Sequence, residues 1–556
     1  MKPYWVTFYS YKGGVGRTLA MVNSAVILAR SGRNVLLVDF DLEAPGLDSF
    51  PELGLTIGRP GVVEYFADFI ASRKAPKLAN YVETPTPTFR TRGNIIVMPS
   101  GRKDREYNRR RDGLNWSEQY DSGFGQLMIA EWKATIATEY QLDYVFVDSR
   151  TGLTDIGGVC TLDLPDLIVA LLALNRQNVD GVASVISAID RADIGRRPDV
   201  LAVATPVPSG SIDNAAIDNA VSAAEAVVGR RIDLRISYNP SAALSEKIFV
   251  LESTEKRSQL VLEYEDLVEK IKTKNVSGLD GIIGQSRTAR ENEDEQRTLI
   301  NATILERDFG SRADAVLELA EVTRRFGDRQ SALPLWEKAF ALDPTLLGAL
   351  NPLITSARIE QNYGRIVELC DKYLVAIGPE SAGDIDVGFK KAEALMALSR
   401  PQEAIPYYFT SAEADPTDLT SKFNVAEAIR RTTGKADQSQ WSEVIKLFEK
   451  KQPVSAMRES NQAQAMHIAY ACVGNLERAK DFLQRAALYA APLPNKAVIF
   501  SVRRYAFVAK TEFLEDNRYL LLALERGELW DGMKLGDATV KSTGVEGTSN
   551  TAVGSL

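Results

Sequence analysis

The sequence predicts two folds in succession: an α/β domain with a doubly wound, mainly parallel sheet, followed by an all-α domain of helical repeats. In the first half, short apolar runs alternate with helix-length amphipathic segments, a pattern typical of α/β proteins. Several of these runs are apolar throughout, as expected of parallel strands that are buried on both faces. In the second half, alanine- and leucine-rich helical segments are separated by short Gly, Pro and Asp breaks.

The apolar runs and the breaks also predict where the domains begin and end. The runs predicted as strands are residues 5–9, 34–39, 94–98, 144–148, 167–172 and 200–204, and a helical pattern at residues 255–274 closes the first domain. We expect an α/β domain at residues 1–285, a polar, glycine-containing linker at 286–300, helical repeats at 301–535 and a tail at 536–556. The tail is rich in Gly, Ser and Thr, so it is expected to be disordered.

A glycine-rich loop joins the first predicted strand to the helix that follows it. Residues 11–18 read YKGGVGRT, between a strand at 4–10 and a helix at 19–32. In this context backbone N–H groups converge on phosphate oxygens, and the helix dipole adds partial positive charge. The basic Arg17 neutralises phosphate charge, and Thr18 offers its hydroxyl to Mg²⁺. The loop therefore predicts a nucleotide site that uses Mg²⁺.

This loop and three later motifs resemble the ParA/MinD/ArsA group of P-loop ATPases, which carry a deviant Walker A loop. Residues 12–18 are similar to that group's KGGVGKT loop and closest to a variant branch that reads KGGVGR. The later motifs are VDFDLEAP at 38–45, FVDSRTG at 146–152 and YNP at 238–240. The resemblance covers about residues 1–270, and it implies the P-loop NTPase fold with ATP and Mg²⁺ as cofactors.

The resemblance assigns roles to single residues. Lys12 matches the signature lysine that reaches the nucleotide of the other subunit in an ATP-sandwiched homodimer. Asp41 matches the switch I aspartate that orients attacking water, and Asp39 and Asp148 match the carboxylates that hold the hydration shell of Mg²⁺. The alternatives are that each aspartate caps a strand end and that Lys12 is an ordinary solvated lysine.

These assignments define the candidate site. The predicted nucleotide contacts are Gly13, Gly14, Val15, Gly16, Arg17, Thr18, Leu19, Tyr238 and Pro240. The predicted metal ligands are Thr18, Asp39 and Asp148, and the predicted catalytic residues are Lys12, Arg17 and Asp41. No Asn-Lys-x-Asp guanine-reading motif occurs, so ATP is favoured over GTP.

Several residues depart from the family pattern. Arg17 replaces the loop lysine, and since a planar guanidinium does not fit a phosphate cradle as an ammonium does, we expect ATP to bind but to be hydrolysed slowly. Tyr11 stands where a standard Walker A loop has its first glycine. Arg150 is either an internal arginine finger or the ion-pair partner of Asp155.

A repeat is visible in the second half. Two Asp-Pro pairs, at 343–344 and 415–416, lie 72 residues apart. Aligned segments place small and bulky residues at matching positions: Ala332, Trp336 and Ala339; Ala404, Tyr408 and Ser411; Ala479, Leu483 and Ala486. This spacing resembles the second helix of a tetratricopeptide repeat, in which small residues let helices approach closely. We expect four or five helix pairs that bind an unidentified protein; an irregular helical array is the alternative.

The amino-acid composition disfavours several possible functions of this protein. The formal charge of −8 disfavours nucleic acid as the main partner, although residues 102–112 hold six basic and three acidic side chains, which form either a nucleic-acid contact or a solvated surface. Three dispersed cysteines predict reduced core thiols, and the single histidine argues against a His-based zinc site. Because no apolar run reaches 18 residues and no leader precedes the first strand, we expect a cytoplasmic protein without a membrane segment.

These observations favour an ATP-dependent dimerisation switch that recruits a protein partner through its helical repeats. The resemblance implies ATPase activity, which Arg17 is expected to slow, and a role in a bacterial regulatory or antiviral defence system, an analogy at the level of the fold. The first alternative is a degenerate ATP-binding scaffold that does not hydrolyse ATP. The second is a ParA-like ATPase associated with DNA.

Overall fold

The chain divides into two compact units, residues 1–310 and 311–556. The computed structural model describes residues 2–151, 158–192, 197–208, 214–244, 246–252, 258–378, 384–450, 456–531 and 539–540. The first unit is an α/β fold of the P-loop NTPase type with a parallel sheet, and the second is built mainly of helices. The predicted fold class is confirmed.

A parallel sheet forms the centre of the first unit. Its strands are β1 Tyr4–Ser10, β2 Val35–Asp39, β3 Ile95–Met98, β4 Tyr144–Asp148, β5 Leu167–Leu172, β6 Asp199–Val207 and β7 Leu234–Ser237. The strand order over the described residues is β3-β2-β4-β1-β5-β6-β7, and every neighbouring pair is parallel. Each predicted strand is present. The edge strand β7 was not predicted, because its sequence, LRIS, is short and carries the exposed Arg235.

Helices cover both faces of this sheet. They are α1 Arg17–Arg30, α2 Val62–Ser72, α3 Tyr107–Asp112, α4 Trp116–Asp121, α5 Phe124–Glu139, α6 Arg176–Arg191, α7 Asn214–Val228, α8 Pro240–Leu244, α9 Gln259–Lys274, α10 Leu279–Glu291 and α11 Glu295–Phe309. Because side chains alternate along a strand, Val6 and Phe8 of β1 join a core with α1 and α9, whereas Trp5 joins a separate core with α2 and α5. This arrangement makes the sheet doubly wound.

Residues 286–300 are mostly helical. They comprise the end of α10, a short turn and the start of α11, and they lie within the first compact unit. In α10, the apolar residues Leu279, Ile282, Ile283 and Ala289 recur at helical spacing and are buried. Polar composition and glycines suggested a linker, but this period of three to four residues is sufficient for an amphipathic helix.

The second unit is a succession of helices, each packed against its neighbours in sequence. They are α12 Ala313–Phe326, α13 Arg329–Leu342, α14 Leu347–Ile359, α15 Tyr363–Ile377, α16 Ile385–Ala397, α17 Pro401–Ala414, α18 Leu419–Thr433, α19 Gln438–Lys450, α20 Ala456–Cys472, α21 Leu476–Ala490 and α22 Lys510–Glu525. The repeated small and bulky residues are buried between them at Ala332, Trp336, Ala339, Ala404, Tyr408, Ala479, Leu483 and Ala486.

Short strands interrupt this helical unit. A hairpin joins β9 Val498–Ser501 to β10 Ala506–Ala509, with Phe500 opposite Phe507, although we expected helices throughout this region. A second small pair joins β8 Ala436–Asp437 to β11 Thr539–Val540.

Apart from β11, the tail at residues 536–556, which was predicted to be disordered, lies outside the described residues. All three cysteines are buried and unpaired, as predicted. In the described ranges no helix is both long and apolar enough to cross a membrane.

Tyr11, at the entrance of the glycine-rich loop, packs against α6 at Gly181. A Cβ atom added at Gly181 would lie 2.0 Å from Cγ of the Tyr11 ring. Ordinary carbon contacts are about 3.5–4.0 Å, so only glycine at position 181 leaves room for the ring. The loop therefore begins on a fixed support, and the first Walker A glycine is replaced by an aromatic residue that packs.

We predict that Gly181→Ala displaces Tyr11 and lowers the free energy of unfolding by about 1–3 kcal/mol, the usual cost of overpacking. The control is Gly284→Ala in α10, where an added Cβ meets no atom within 4 Å; there, alanine should stabilise by about 0.5–1 kcal/mol. Urea denaturation followed by circular dichroism measures both. Equal effects of the two substitutions, or no rescue of Gly181→Ala by Tyr11→Ala, would contradict this packing.

Candidate nucleotide-binding site

The site is built where three neighbouring strands end. In the order β2-β4-β1, Asp39 at the end of β2 lies opposite Asp148 at the end of β4, and Phe8 of β1 pairs with Asp148 from the other side. The first strand also pairs with β5 on its other side. Strands β2 to β4 therefore lie on one side of β1 and strands β5 to β7 on the other, and the strand order changes direction at β1. Such switch points at the carboxyl ends of parallel strands are where open α/β sheets bind ligands.

The glycine-rich loop, residues 11–16, leaves the carboxyl end of β1 and leads into α1. Gly14 and Gly16 have φ angles of 80° and 76°, in the left-handed region that favours glycine. A Cβ atom added at Gly13, Gly14 or Gly16 would meet nothing within 4 Å. The side chain of Val15 is buried instead. The buried Val15 thus fixes one side of the loop in the protein core, and the side that carries the three glycines faces open space.

Arg17, the first residue of α1, forms the centre of a buried ionic cluster. Its Nη2 lies 2.5 Å from Oδ2 of Asp41, its Nε donates to Oδ1 of Asp148, and its Nη1 is 3.4 Å from the hydroxyl of Ser10. The Thr18 hydroxyl donates to the other oxygen of Asp148 over 2.5 Å. Burial alone lowers the pKa of Arg17, but Asp148 and Asp41 outweigh it, so this pKa is raised and the guanidinium stays charged.

Asp39 completes the cluster but has fewer partners. The side chain is 2% exposed; Oδ2 accepts a hydrogen bond of 3.3 Å from the backbone of Leu47, and Oδ1 has no hydrogen-bond partner. Burial, and then the charge of Asp148, raise the pKa of Asp39 to about 8. Burial also raises the pKa of Asp148, although Arg17 and Thr18 oppose that rise. One guanidinium therefore does not neutralise three buried carboxylates, and burial favours the protonated form of Asp39.

This donor set fits Mg²⁺. An orphaned carboxylate oxygen at Asp39, the adjacent Asp148 and the Thr18 hydroxyl are hard oxygen ligands. In the described part of the chain, no three His, Cys, Asp or Glu side chains are arranged to hold a metal by themselves. Mg²⁺ does not need such a cage, since it usually keeps several waters and binds one or two carboxylates together with phosphate oxygens.

Lys12 lies outside this cluster. Its side chain is exposed, and its ammonium donates to Oε1 of Gln177 in the first turn of α6 over 2.5 Å. Its backbone carbonyl accepts a hydrogen bond of 2.9 Å from Ser10, so the loop backbone is held while the charged end projects to the surface. The sequence contained no signal for Gln177 or Ser10 as partners.

The remaining predicted site residues are spread more widely. Tyr238 is 46% exposed and follows β7, which is separated from β1 by β5 and β6; Pro240 begins α8. Leu19 is half-buried and packs against the core beneath α1. The structure does not bring Tyr238 and Pro240 into the cluster around Arg17.

Arg150 pairs with Glu43 at 2.7 Å, a partner that the sequence did not suggest. Asp155, the partner that we considered, lies outside the described residues. The contact connects the segment after β4 to the segment after β2, close to where Arg17 connects the last residue of β4 to Asp41. The ends of β2 and β4 and the segments that follow them are therefore held together by two arginines.

The basic segment at residues 102–112 lies beside this site, and several of its charges are paired. Lys103 contacts Asp48 at 2.6 Å, Arg110 contacts both Glu64 and Asp104, and Arg111 contacts the adjacent Asp112. These pairs reduce the positive charge that the segment offers to a nucleic-acid backbone.

Comparisons with known proteins give a family for the first part of the chain. Residues 6–298 match the family described as the CobQ/CobB/MinD/ParA nucleotide binding domain. No curated protein matches the chain.

Among solved structures, the chain is similar to a ParA family ATPase from Chlorobium tepidum TLS, with 19% identity over 48% of this chain and 98% of that one, and a TM-score of 0.36. It is also similar to the septum site-determining protein MinD with Mg-ADP from Pyrococcus horikoshii OT3, with 17% identity over 50% and 98% of the two chains and a TM-score of 0.37. The tetratricopeptide-repeat protein YrrB, described as having an unusual peptide-binding site, matches with 17% identity over 34% and 93%, and a TM-score of 0.26.

The family match covers more than half of the 556 residues, and it coincides with a glycine-rich loop, a basic first helical residue and strand-end carboxylates at the switch point of a parallel sheet. The protein therefore belongs to the CobQ/CobB/MinD/ParA nucleotide-binding family.

Proposed function

We propose that this protein is an ATP-dependent dimerisation switch of the deviant Walker A kind, with a helical unit that recruits another protein. The observation that carries the proposal is the cluster at the carboxyl edge of the sheet. There an open glycine loop and the N-terminus of α1 adjoin Arg17, Thr18 and three buried carboxylates. Phosphate binding and Mg²⁺ binding require these two kinds of group side by side.

ATP with Mg²⁺ is the ligand that this cluster fits best. The amides of residues 13–18 and the dipole of α1 would hold the phosphates. Mg²⁺ would be held by Thr18 and by the carboxylates of Asp39 and Asp148, and when bound it would supply charge neutralisation at the phosphates. Tyr238 and Pro240 are the proposed contacts to the base, which requires the segment after β7 to approach the loop.

We predict that Thr18→Ala weakens binding of ATP with Mg²⁺ by roughly ten-fold or more, because a ligand of the metal and a hydrogen bond to Asp148 are both lost. Isothermal titration calorimetry with and without Mg²⁺ measures this. Thr205→Ala is the control, since the hydroxyl of Thr205 contacts the carbonyl of Val15 on the anchored side of the loop at 3.4 Å. Unchanged Mg²⁺-dependent affinity in Thr18→Ala would contradict the assignment of the site.

Dimerisation is proposed from Lys12. A P-loop makes its phosphate cradle from backbone and from the basic residue at position 17, so a second lysine nearby has no required role within one subunit. The ammonium of Lys12 is bonded to Gln177 at the surface and not to the carboxylates. An exposed lysine beside a phosphate site can reach the phosphate of a second subunit, and ATP then becomes part of the dimer interface.

We predict that Lys12→Ala abolishes ATP-dependent dimerisation and leaves ATP binding to the monomer nearly unchanged. Each subunit would lose one charge-assisted hydrogen bond of about 1.5–3 kcal/mol, so the dimer equilibrium should shift by a few orders of magnitude. Light scattering with a slowly hydrolysed ATP analogue measures the shift, and the exposed Lys74→Ala is the matched control. A wild type that stays monomeric with the analogue, or a variant that dimerises equally well, contradicts the mechanism.

A specific contact favours a second candidate, an ATP-binding scaffold that does not hydrolyse ATP. Asp41, the proposed residue that orients water, is engaged by Arg17 at 2.5 Å. Hydrolysis requires Asp41 to be released, so we propose turnover toward the lower end of the roughly 1–10³ s⁻¹ typical of enzymes, or below it. Release of phosphate that is abolished by Asp41→Ala identifies a slow ATPase, and its absence identifies the scaffold.

The helical unit is proposed as the partner-binding part of the chain. Consecutive helices packed on their sequence neighbours form an extended array whose surface is large for its core, and the buried Ala332, Trp336 and Ala339 follow the spacing of tetratricopeptide repeats. The proposed division is an ATPase domain at residues 1–285, a connection at 286–300 and repeats at 301–535. A regulatory or defence role in a bacterial cytoplasm is the setting that the resemblance suggests.

We predict that a protein partner binds through the helical unit whether or not nucleotide is bound. Affinity purification with the full chain, with Thr18→Ala and with a chain ending at residue 310 tests this. The first two should recover the same partner and the third should not, because it lacks the helical unit. Recovery of the partner with residues 1–310 would contradict this division of labour.

A further inference from the structure

The hairpin of β9 and β10 lies against helices that come much earlier in the chain. The guanidinium of Arg358, in α14, is 5.7 Å from the centre of the Phe507 ring. In α18, Asn424 accepts a hydrogen bond from the Tyr505 hydroxyl, and Arg431 donates to a backbone carbonyl of the hairpin turn over 2.7 Å. The hairpin therefore covers a surface that α14 and α18 share, which we call the hairpin face.

The space between the hairpin and the hairpin face is almost completely filled. A cavity of about 10 Å³ remains there, lined by residues of α14, α15, α16 and the hairpin, which is room for about one water molecule. Phe500 and Phe507 lie opposite each other on the two strands, with ring centres 5.3 Å apart. Tyr505 is 2% exposed and joins the core formed by α12 to α18. The hairpin thus fits this surface as a bound ligand fits its site.

Tyr505 reaches α18 with a backbone conformation that aromatic residues rarely adopt. Its φ angle is 54°, in the left-handed region where a Cβ atom is crowded. The guanidinium of Arg431 lies 5.1 Å from the centre of its ring. Strain of this kind persists only where surrounding contacts impose it, and it is concentrated at ligand clamps and switches. The contact between the hairpin and α18 is therefore made against a local backbone preference.

Other contacts anchor the hairpin to the helices that adjoin it in the sequence. Asp516, in α22, accepts hydrogen bonds from Arg503 at 2.5 Å and from the Ser501 hydroxyl at 2.6 Å. Gln464, in α20, accepts a hydrogen bond from the amide of Val502 over 2.7 Å. None of these three contacts involves α14 or α18. Release of the hairpin from the hairpin face would therefore leave its attachment to α20 and α22 intact.

The hairpin also shows what kind of ligand the hairpin face accepts. Stacked helix pairs present extended surfaces of this kind as binding sites. The occupant here is an extended segment, and Tyr505 and Phe507, which contact α18 and α14, are two residues apart. In an extended chain such residues point to the same side. The surface is therefore suited to a protein segment in extended conformation with aromatic side chains at alternate positions.

We propose that the hairpin face is the surface with which the helical unit binds its partner, and that the chain's own hairpin occupies it until an extended, aromatic segment of the partner takes its place. This inference rests on the proposed recruitment function and names the site and the regulation of that recruitment. The apparent affinity for a partner then falls in proportion to the fraction of molecules in which the hairpin is displaced.

The test uses a full-length chain, the linker chain, in which residues 498–509 are replaced by a short Gly-Ser linker. The ends of the hairpin permit this replacement, since the amide of Lys510 donates to the carbonyl of Ala497 over 3.0 Å. The probe is a fluorescent synthetic peptide with the sequence of residues 496–511, and its binding is measured by fluorescence anisotropy. The linker chain should bind the peptide roughly ten-fold or more tightly than wild type, in which the attached hairpin competes.

The matched control is the same peptide with Tyr505→Ala, which should bind the linker chain more weakly. Circular dichroism and thermal unfolding establish that the linker chain is folded. If it is not, Tyr505→Gly in the full chain is the test, because it removes the ring that contacts α18 and leaves the contacts of Asp516 in place. A folded variant that binds the peptide no better than wild type does, or binds both peptides equally well, overturns the proposal.

A second arm separates this proposal from the proposed function. Affinity purification compares the partner recovered with wild type and with the linker chain. Greater recovery with the linker chain, reversed by excess peptide, supports displacement of the hairpin. Equal recovery, recovery lost with the hairpin, or recovery that the peptide does not reduce overturns the proposal while recruitment stands. If neither chain recovers a partner although the peptide binds, the proposed recruitment is overturned and this inference with it.

Discussion

Three buried carboxylates, two of them bonded to a single guanidinium, form the constraint on which the candidate site depends. The register of β2 against β4 sets Asp39 directly beside Asp148, and Asp41 follows on the same chain segment. Burial, and then the nearby charge of Asp148, disfavours the ionised form of Asp39 and raises its pKa to about 8. Arg17 supplies one positive charge, and the remaining imbalance suits a divalent metal.

The same contacts determine how the site can respond to a ligand. Arg17 connects Asp41 to Asp148. Arg150 contacts Glu43, and these two residues lie shortly after Asp148 and Asp41 in the chain. Two segments that leave different strands are thus held together by arginine–carboxylate pairs, one buried and one partly exposed. A ligand that competes for Arg17 acts on both segments together, because taking one partner out of a buried ion pair leaves an uncompensated buried charge.

Helix α6 supports the other side of the loop. Gly181 gives Tyr11 a flat surface, and Gln177, one turn earlier, accepts from Lys12. Tyr11 and Lys12, which a standard Walker A loop does not require, therefore both contact α6. The entrance of the loop is positioned by α6 and its exit by α1, so the glycines between them can adopt the conformation that phosphate binding requires without support from side chains.

Much of this fold could be predicted from the sequence, because it depends on interactions between residues that are close together in the chain. Strands buried on both faces must be apolar throughout, so β1, β2, β4 and β5 were visible as uninterrupted runs. The glycine loop and Thr18 could be placed between the first strand and its helix, and Asp39 and Asp148 at strand ends. Helices α13, α17 and α21 were visible in the spacing of small and bulky residues. The edge strand β7, the hairpin of β9 and β10, and the helical state of residues 286–300 were missed, because short or polar segments take their conformation from the surface that they pack against.

Only the tertiary structure decided the partners of Arg17, Lys12, Tyr11 and Arg150, since Asp148 is 131 residues from Arg17 and Gln177 is 165 residues from Lys12. Periodicity and spacing report on neighbours along the chain, whereas the charge balance of the site arises from residues that the sheet order alone brings together.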